Sequence, residues 1–336
     1  MTRYITIPLL ILLSMLSISS CSNNDNRVVR RQVFFRMDTM VDATISVPPR
    51  YNPVPLWLSI DSLLAQCEKR FSASGDSSEI NIINTRTSNA LPVSAQLEDM
   101  LRLGIYYGKL LDGAFDITVL PLKELWGLCE RCGDTLRIPD SAEVSAALRS
   151  VDYRRIHIND AGDSVFFDSA STRIDLGGIA KGFVINWLDA LIKDNGVNDF
   201  LISAGGDIIS SGRRPDGAPW RVGVRHPRRP DELIDAISVT SGAVFTSGDY
   251  ERFREADDGR RYHHIFDPST GFPCGNNQSL TIRTTIRTYD PARADILSTG
   301  LFCRKPEDIL SFVENRSDLE CLVVDSAGKI FKSCGW

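Results

Sequence analysis

Histidine is scarce in this chain, with four among 336 residues, and positive charge is not in surplus, since 38 Lys and Arg stand against 43 Asp and Glu. The missing basic excess argues against a nucleic-acid partner. After the first twenty residues no stretch is apolar enough to span a bilayer, so the remainder reads as a water-facing domain. Neither the spaced-glycine dinucleotide fingerprint nor a Walker loop occurs. There is no internal repeat and no long low-complexity tract. Cys129-Glu-Arg-Cys132 lacks a second ligand pair that would complete a zinc site, and it reads as a loop disulfide or two free thiols. With Cys21 set aside, an odd number of cysteines remains, which argues against a fully paired disulfide framework.

The N-terminus carries what the remainder lacks. Arg3 precedes an apolar run from Ile5 to Ile18, short for a membrane span and suited to a signal peptide. The run ends in Ser19-Ser20-Cys21 before the polar Ser22 to Asn26. Small residues ahead of a cysteine resemble a bacterial lipobox, so Cys21 is expected to be lipidated, tethering a domain to a membrane surface. The expected organisation is a signal peptide over 1–20, a lipidated tether over 21–31 and one domain over 32–336, in the bacterial cell envelope and facing the periplasm or exterior.

Extended segments are expected around Val33–Phe35 and Ala43–Val47, and Pro48, Pro49, Pro53 and Pro55 are expected to break regular structure. Apolar spacing predicts helices after Ser59, after Ser94 and after Asp140, and a strong one from Ile179 to Ile192. Strands are expected at Arg155–Ile158, Val165–Phe167, Phe200–Ile202, Ile208–Ile209 and Trp220–Val224. The order is not a regular βαβ repeat, so the expected class is α+β, with mixed, largely antiparallel sheets and packed helices.

Chemistry-bearing segments are individually modest. Asp175-Leu-Gly-Gly-Ile-Ala-Lys-Gly182 runs into the strong helix, where backbone N–H groups favour phosphate and Lys181 adds charge. Ser203-Ala-Gly-Gly-Asp207 fits a hairpin turn. Thr246-Ser-Gly-Asp249-Tyr250 precedes Tyr262-His-His264-Ile-Phe266-Asp-Pro, and histidine is a natural proton acceptor near neutral pH. Asp295 and Thr299 stand four apart, so a helix would point both to one side, as a hard cation such as Mg²⁺ would require. Asp112-Gly-Ala-Phe-Asp-Ile-Thr118 could receive an aromatic ring system or simply connect two elements.

Taken in order, these segments resemble the FAD:protein FMN transferase family (ApbE-type, formerly thiamine-biosynthesis lipoprotein). The matching pieces are Ser78-Glu-Ile-Asn81, Gly113 to Thr118, Asp175 to Gly182, Ala204 to Asp207, Thr246 to Tyr250, His264 to Gly271 and Asp295 to Thr299. The resemblance implies Mg-dependent transfer of FMN from FAD to a threonine of an exported or membrane electron-transport flavoprotein, with AMP released. It further implies flavin contacts at Met37, Ala73, Ala114, Phe115, Asp116 and Phe266, with Asp175 and Lys181 along the dinucleotide. Mg²⁺ or Mn²⁺ would be held by Gly178, Asp295 and Thr299, and the base would be His264, with Asp249 as a substitute. The family's Met-Gly-Thr is here Met37-Asp38-Thr39. The alternatives are an FAD pyrophosphatase giving free FMN and AMP, and a non-catalytic FAD-binding lipoprotein.

Overall fold

The structure, a computed structural model, describes residues 26–73, 75–88, 90–133, 136–284 and 290–336. Cys21 and the apolar leader lie outside the described residues. Among the described residues no helix is long and apolar enough to cross a membrane.

In chain order the elements begin with β1 (Val28–Arg36), β2 (Thr39–Val47), α1 (Val54–Phe71), α2 (Glu79–Asn84), β3 (Ala90–Pro92) and α3 (Ala95–Leu110). They continue with α4 (Leu120–Leu125), α5 (Ser141–Leu148), β4 (Ile156–Ile158), β5 (Ser164–Phe167), α6 (Ala180–Asp194), β6 (Phe200–Ala204) and β7 (Asp207–Ser211). Next come β8 (Trp220–Arg225), β9 (Leu233–Val239), β10 (Gly242–Gly248), β11 (Phe253–Glu255), β12 (Arg261–His263) and β13 (Asn277–Thr284). The chain closes with α7 (Pro291–Gly300), α8 (Pro306–Glu314), β14 (Leu319–Asp325) and β15 (Ile330–Lys332).

An eight-stranded sheet in the order β1-β2-β6-β7-β10-β13-β14-β15 forms the spine, and its pairings are antiparallel. One face buries Val41, Ala43, Ile45, Phe200, Ile202, Ile209, Phe245 and Ile282 in the main core, which also takes in the apolar faces of α1, α3, α6, α7 and α8. The opposite face is partly covered by the β8–β9 hairpin, whose Val222, Ile237 and Val239 pack on Val244, Leu201 and Ile208. The α+β antiparallel expectation therefore holds.

Local chemistry explains the boundaries. Ser94 caps α3 by accepting from the Leu97 N–H, and Asp140 caps α5 in a reciprocal box with Glu143. Two boundaries differ from expectation. α1 starts at Val54 rather than after Ser59, because Pro53 and Pro55 occupy its first turn, where a missing N–H costs nothing. β1 starts at Val28, inside the stretch read as tether, because Val28 to Arg31 pair with Val47 to Thr44.

The β1–β2 turn explains the Met37-Asp38-Thr39 departure. Arg36 pairs with Thr39, leaving two loop residues with φ of 54° at Met37 and 55° at Asp38. Both lie in the left-handed region that a two-residue hairpin favours and that glycine enters without steric cost. Asp38→Gly is therefore expected to stabilise the fold by about 1 kcal/mol, read as a higher urea midpoint. An unchanged or lower midpoint would contradict this account of the turn.

Candidate active site

The β6–β7 turn is the hairpin that Gly205-Gly206 suggested, with φ of 61° and 98°. Its function lies in what it delivers. Asp207 opens β7, buried at 2% exposure, and makes an ion pair with Lys181 at the start of α6. The other Asp207 oxygen accepts from the Thr246 N–H at 3.0 Å. Gly205 donates its N–H to the Met40 carbonyl, so the β1–β2 turn stands beside this corner.

α7 supplies the second half of the site. Asp295 is 3% exposed, and its Oδ2 accepts from the Gly182 N–H at 2.8 Å. That bond is possible because α6 and α7 touch through backbone: a Cβ at Gly182 would sit 2.5 Å from the Ala292 Cα. Burial pushes the Asp295 carboxyl up to about 7, with Lys181 opposing and Asp207 adding to the rise. Burial alone would discourage the Lys181 ammonium, but Asp207 and Asp295 outweigh it and hold the lysine protonated. Two buried carboxylates thus share one half-exposed cation.

One turn along α7, Thr299 lies against Gly178. A Cβ there would be 3.1 Å from the Thr299 Oγ1 and 3.1 Å from the Phe115 ring. Ser247 on β10 reaches the same place, with its Oγ 2.9 Å from Ser298 and 3.3 Å from Thr299. The Asp175 N–H donates to the Ile117 carbonyl at 2.7 Å, which joins the Ala114–Thr118 loop to the Gly177-Gly178 turn. The structure therefore gathers Phe115, Asp175, Gly178, Lys181, Asp295 and Thr299, which are scattered over 185 residues of sequence, at one end of the spine sheet.

Asp175 has a partner that sequence reasoning missed. Its Oδ1 takes the Lys123 ammonium at 2.7 Å and the Gly177 N–H at 2.9 Å. Burial opposes its ionisation, but Lys123 outweighs burial and holds the carboxyl below its usual range. Lys123 sits on a six-residue helix and looks like an ordinary solvent-facing lysine. No local signal marks it, because its partner is 52 residues away.

His264 borders the same ion pair and keeps part of its surface open. Its Nδ1 is 3.2 Å from the Arg252 carbonyl, an acceptor only, so Nδ1 carries the hydrogen and Nε2 the free lone pair. Burial, then the neighbouring Lys123, His263 and Arg252, hold its imidazolium well below the ordinary range. It is neutral at physiological pH and fit to accept a proton.

The remaining expected residues lie elsewhere or face other partners. Both Asp249 oxygens accept from the Arg228 guanidinium, at 2.7 and 2.5 Å, so this carboxylate sits in an ion pair. Asp116 is turned into its own loop, accepting from the Thr118 N–H, the Thr118 hydroxyl and the Tyr153 N–H. Phe266 packs on Trp126 in a separate apolar cluster. The Met37 N–H donates to Glu68, Ala73 follows the end of α1, and Ala114 closes a turn onto Leu111. Among the described residues no group of three or more His, Cys, Asp or Glu gathers to hold a metal.

Cysteine pairing resolves into Cys129–Cys132, a loop disulfide as one of the two readings had it, and Cys274–Cys303. The second braces His263, whose Nε2–H donates to the Cys274 carbonyl at 2.7 Å while its Nδ1 accepts from the Ile265 N–H. His263 is 3% exposed, and burial lowers its pKa. Below pH 6.5 the unfolded chain would protonate this residue while the folded chain would not. At this residue the unfolded state then binds more protons, so the His263 contribution to stability falls as pH drops through that window, by up to about 1.4 kcal/mol per unit, while the raised Asp295 carboxyl contributes with the opposite sign. A His263→Gln variant whose urea midpoint has the same pH dependence as the parent between pH 7.5 and 5.5 would contradict this.

Comparison with known proteins finds relatives over most of the chain. The profile of the ApbE family matches residues 37–323. The FAD:protein FMN transferase of Vibrio cholerae is 30% identical over 263 residues, covering 77% of this chain and 76% of that protein. The crystal structure of the ApbE protein of Thermotoga maritima superposes with a TM-score of 0.83 at 31% identity, covering 92% of this chain and 98% of that one. The apo flavinyl transferase ApbE of Pseudomonas stutzeri gives 0.80 at 26% identity, over 92% and 95%.

Proposed function

The chain belongs to the ApbE family and is a transferase of the FAD:protein FMN transferase type, and from that premise we propose that it moves FMN from FAD onto a threonine hydroxyl in a Mg²⁺-dependent step that releases AMP. The observation that carries the reading is the α6–α7 junction. It sets a buried carboxylate, Asp295, one turn from the Thr299 hydroxyl, with the Gly178 backbone against that hydroxyl.

These residues fit a hard divalent ion. One carboxylate, one hydroxyl and a backbone carbonyl are oxygen donors, and Mg²⁺ retains waters and shares substrate phosphate rather than needing a full protein cage. Two buried carboxylates against Lys181 alone also leave negative charge for a cation to offset. Mn²⁺ suits the same donors. When bound, the ion would neutralise the pyrophosphate.

The chain's own groups divide the remaining work. At the start of α6 the Gly177 and Gly182 N–H groups are given to Asp175 and Asp295 and those of Ile179 and Ala180 to the Leu176 carbonyl, so the Lys181 ammonium supplies the positive charge for phosphate there. Phe115 and the neighbouring Ala114 form an apolar wall suited to the flavin end. His264 Nε2 takes the threonine proton as the threonine oxygen bonds to the FMN-side phosphorus. The bridging P–O bond breaks, and AMP departs with that oxygen. Lys123 and Asp175 hold each other beside the histidine, so neither is free to protonate it or to pair with it. In the cell, Cys21 would carry the lipid that keeps the enzyme at the envelope membrane, near exported acceptor flavoproteins.

The direct test incubates the protein with FAD, MgCl₂ and a threonine-bearing acceptor. SDS-resistant flavin fluorescence on the acceptor, with stoichiometric AMP, is expected. Free FMN with an unlabelled acceptor would assign hydrolysis instead, and bound FAD without AMP would assign a carrier.

A further inference from the structure

We propose that the outer face of the β1–β2 hairpin lies on the bilayer that holds the lipidated Cys21, with Val29, Val33, Phe35 and Met40 as its contacting side chains. This rests on the reading of Cys21 as acylated.

Alternation along a strand sends Val29, Arg31, Val33 and Phe35 to one face, and Phe34 to the other, where it is buried. Phe35 is 72% exposed, and its cross-strand partner Met40 is 64% exposed. Val29 and Val33 are 48% and 43% exposed. The same face of the spine sheet is covered further along, where β8–β9 and Trp336 close over Leu201, Ile208 and Val244. The cover stops short of β1–β2, which leaves an aromatic, a methionine and two valines bare on one surface.

The occupant is indicated by what precedes the strand. Six residues separate Cys21 from Val28, so seven steps along the chain give a reach of at most about 25 Å at ~3.5 Å per step. β1 therefore cannot stand far from the membrane. It presents to that membrane the side chains that settle at a lipid interface, apolar bodies at the acyl boundary with arginine reaching to headgroups. Arg31, the one charged side chain of β1 on this face, is paired with Asp42 and keeps most of its surface in solvent. A hairpin lying flat in this way would hold the Met37-Asp38 turn, and the catalytic end of the sheet beside it, close above the bilayer. Membrane-bound acceptors would then meet the site without a long search.

The test uses the full lipidated chain in vesicles of phosphatidylethanolamine and phosphatidylglycerol, with a benzoylphenylalanine photocrosslinker in place of Phe35. The control carries the crosslinker in place of Phe166, which is 40% exposed on β5 in a separate sheet. Phospholipid adducts several-fold more abundant at position 35 than at position 166 are expected. Equal yields, or adducts at 35 only to a second copy of the chain or to an acceptor protein, would overturn the assignment. Intact mass of the same sample reads the acyl group on Cys21. An acylated chain without adducts at 35 defeats the surface alone, whereas a chain without acyl groups defeats the anchoring and this inference with it.

Discussion

Asp295→Asn is expected to lower FMN transfer about a thousand-fold, because a bound divalent ion contributes several kcal/mol to such a step and each 1.4 kcal/mol is tenfold in rate. Asparagine keeps the shape and one carbonyl oxygen, so the Gly182 N–H at 2.8 Å retains an acceptor and the α6–α7 junction remains closed. Lys181 keeps Asp207 as its partner. What is lost is the second negative charge in a buried cluster, and that charge is unfavourable until a cation offsets it, as the rise of Asp295 to about 7 indicates. The variant should therefore melt at the wild-type temperature or above it while losing activity, and EDTA should reproduce the loss in the parent enzyme. A variant that transfers FMN at the parent rate would remove Asp295 from the metal site. A variant that simply unfolds would show that its role is structural.

The second large effect concerns the base. His264→Gln is expected to reduce turnover by about 10²- to 10⁴-fold, the range over which a positioned general base contributes. Glutamine can still donate to the Arg252 carbonyl that now takes the Nδ1 hydrogen, but it cannot accept the threonine proton. In the parent the histidine is held well below its usual range, so turnover should be level from pH 8 down to 6.5, with an acid limb only below that. Lys123→Met should move the limb upward. It removes a cation that opposes protonation of His264 and leaves Asp175, now uncompensated, to favour it. Lys123→Arg should restore the parent profile. A Lys123→Met enzyme that is slower by the same factor at every pH would show that the lysine only supports the fold.

Chain-local chemistry made much of this legible. Ser94, the Asp140–Glu143 box and Gly205-Gly206 mark boundaries because each acts on atoms within a few residues. The four-residue spacing of Asp295 and Thr299 could be read for the same reason. Pro53 and Pro55 misled because proline ends a helix from within but suits its first turn, and sequence alone does not say which applies. The ion pairs were beyond reach. Lys123 with Asp175 and Arg228 with Asp249 depend on how distant segments fold together. Asp116 entered the flavin contacts through the resemblance alone, and its local partners could not be read from sequence. In the fold it accepts from three donors of its own loop and the neighbouring turn.

The contact at Gly182 carries a consequence for how such a protein can diverge. Any side chain there would press on the Ala292 backbone and part α6 from α7, separating the Gly177-Gly178 turn from Asp295. A duplicated copy could thus shed its chemistry through one codon change and persist as an inert relative of the same outline. Whether this position is glycine is therefore a quick way to sort working descendants from silent ones when related genomes are surveyed.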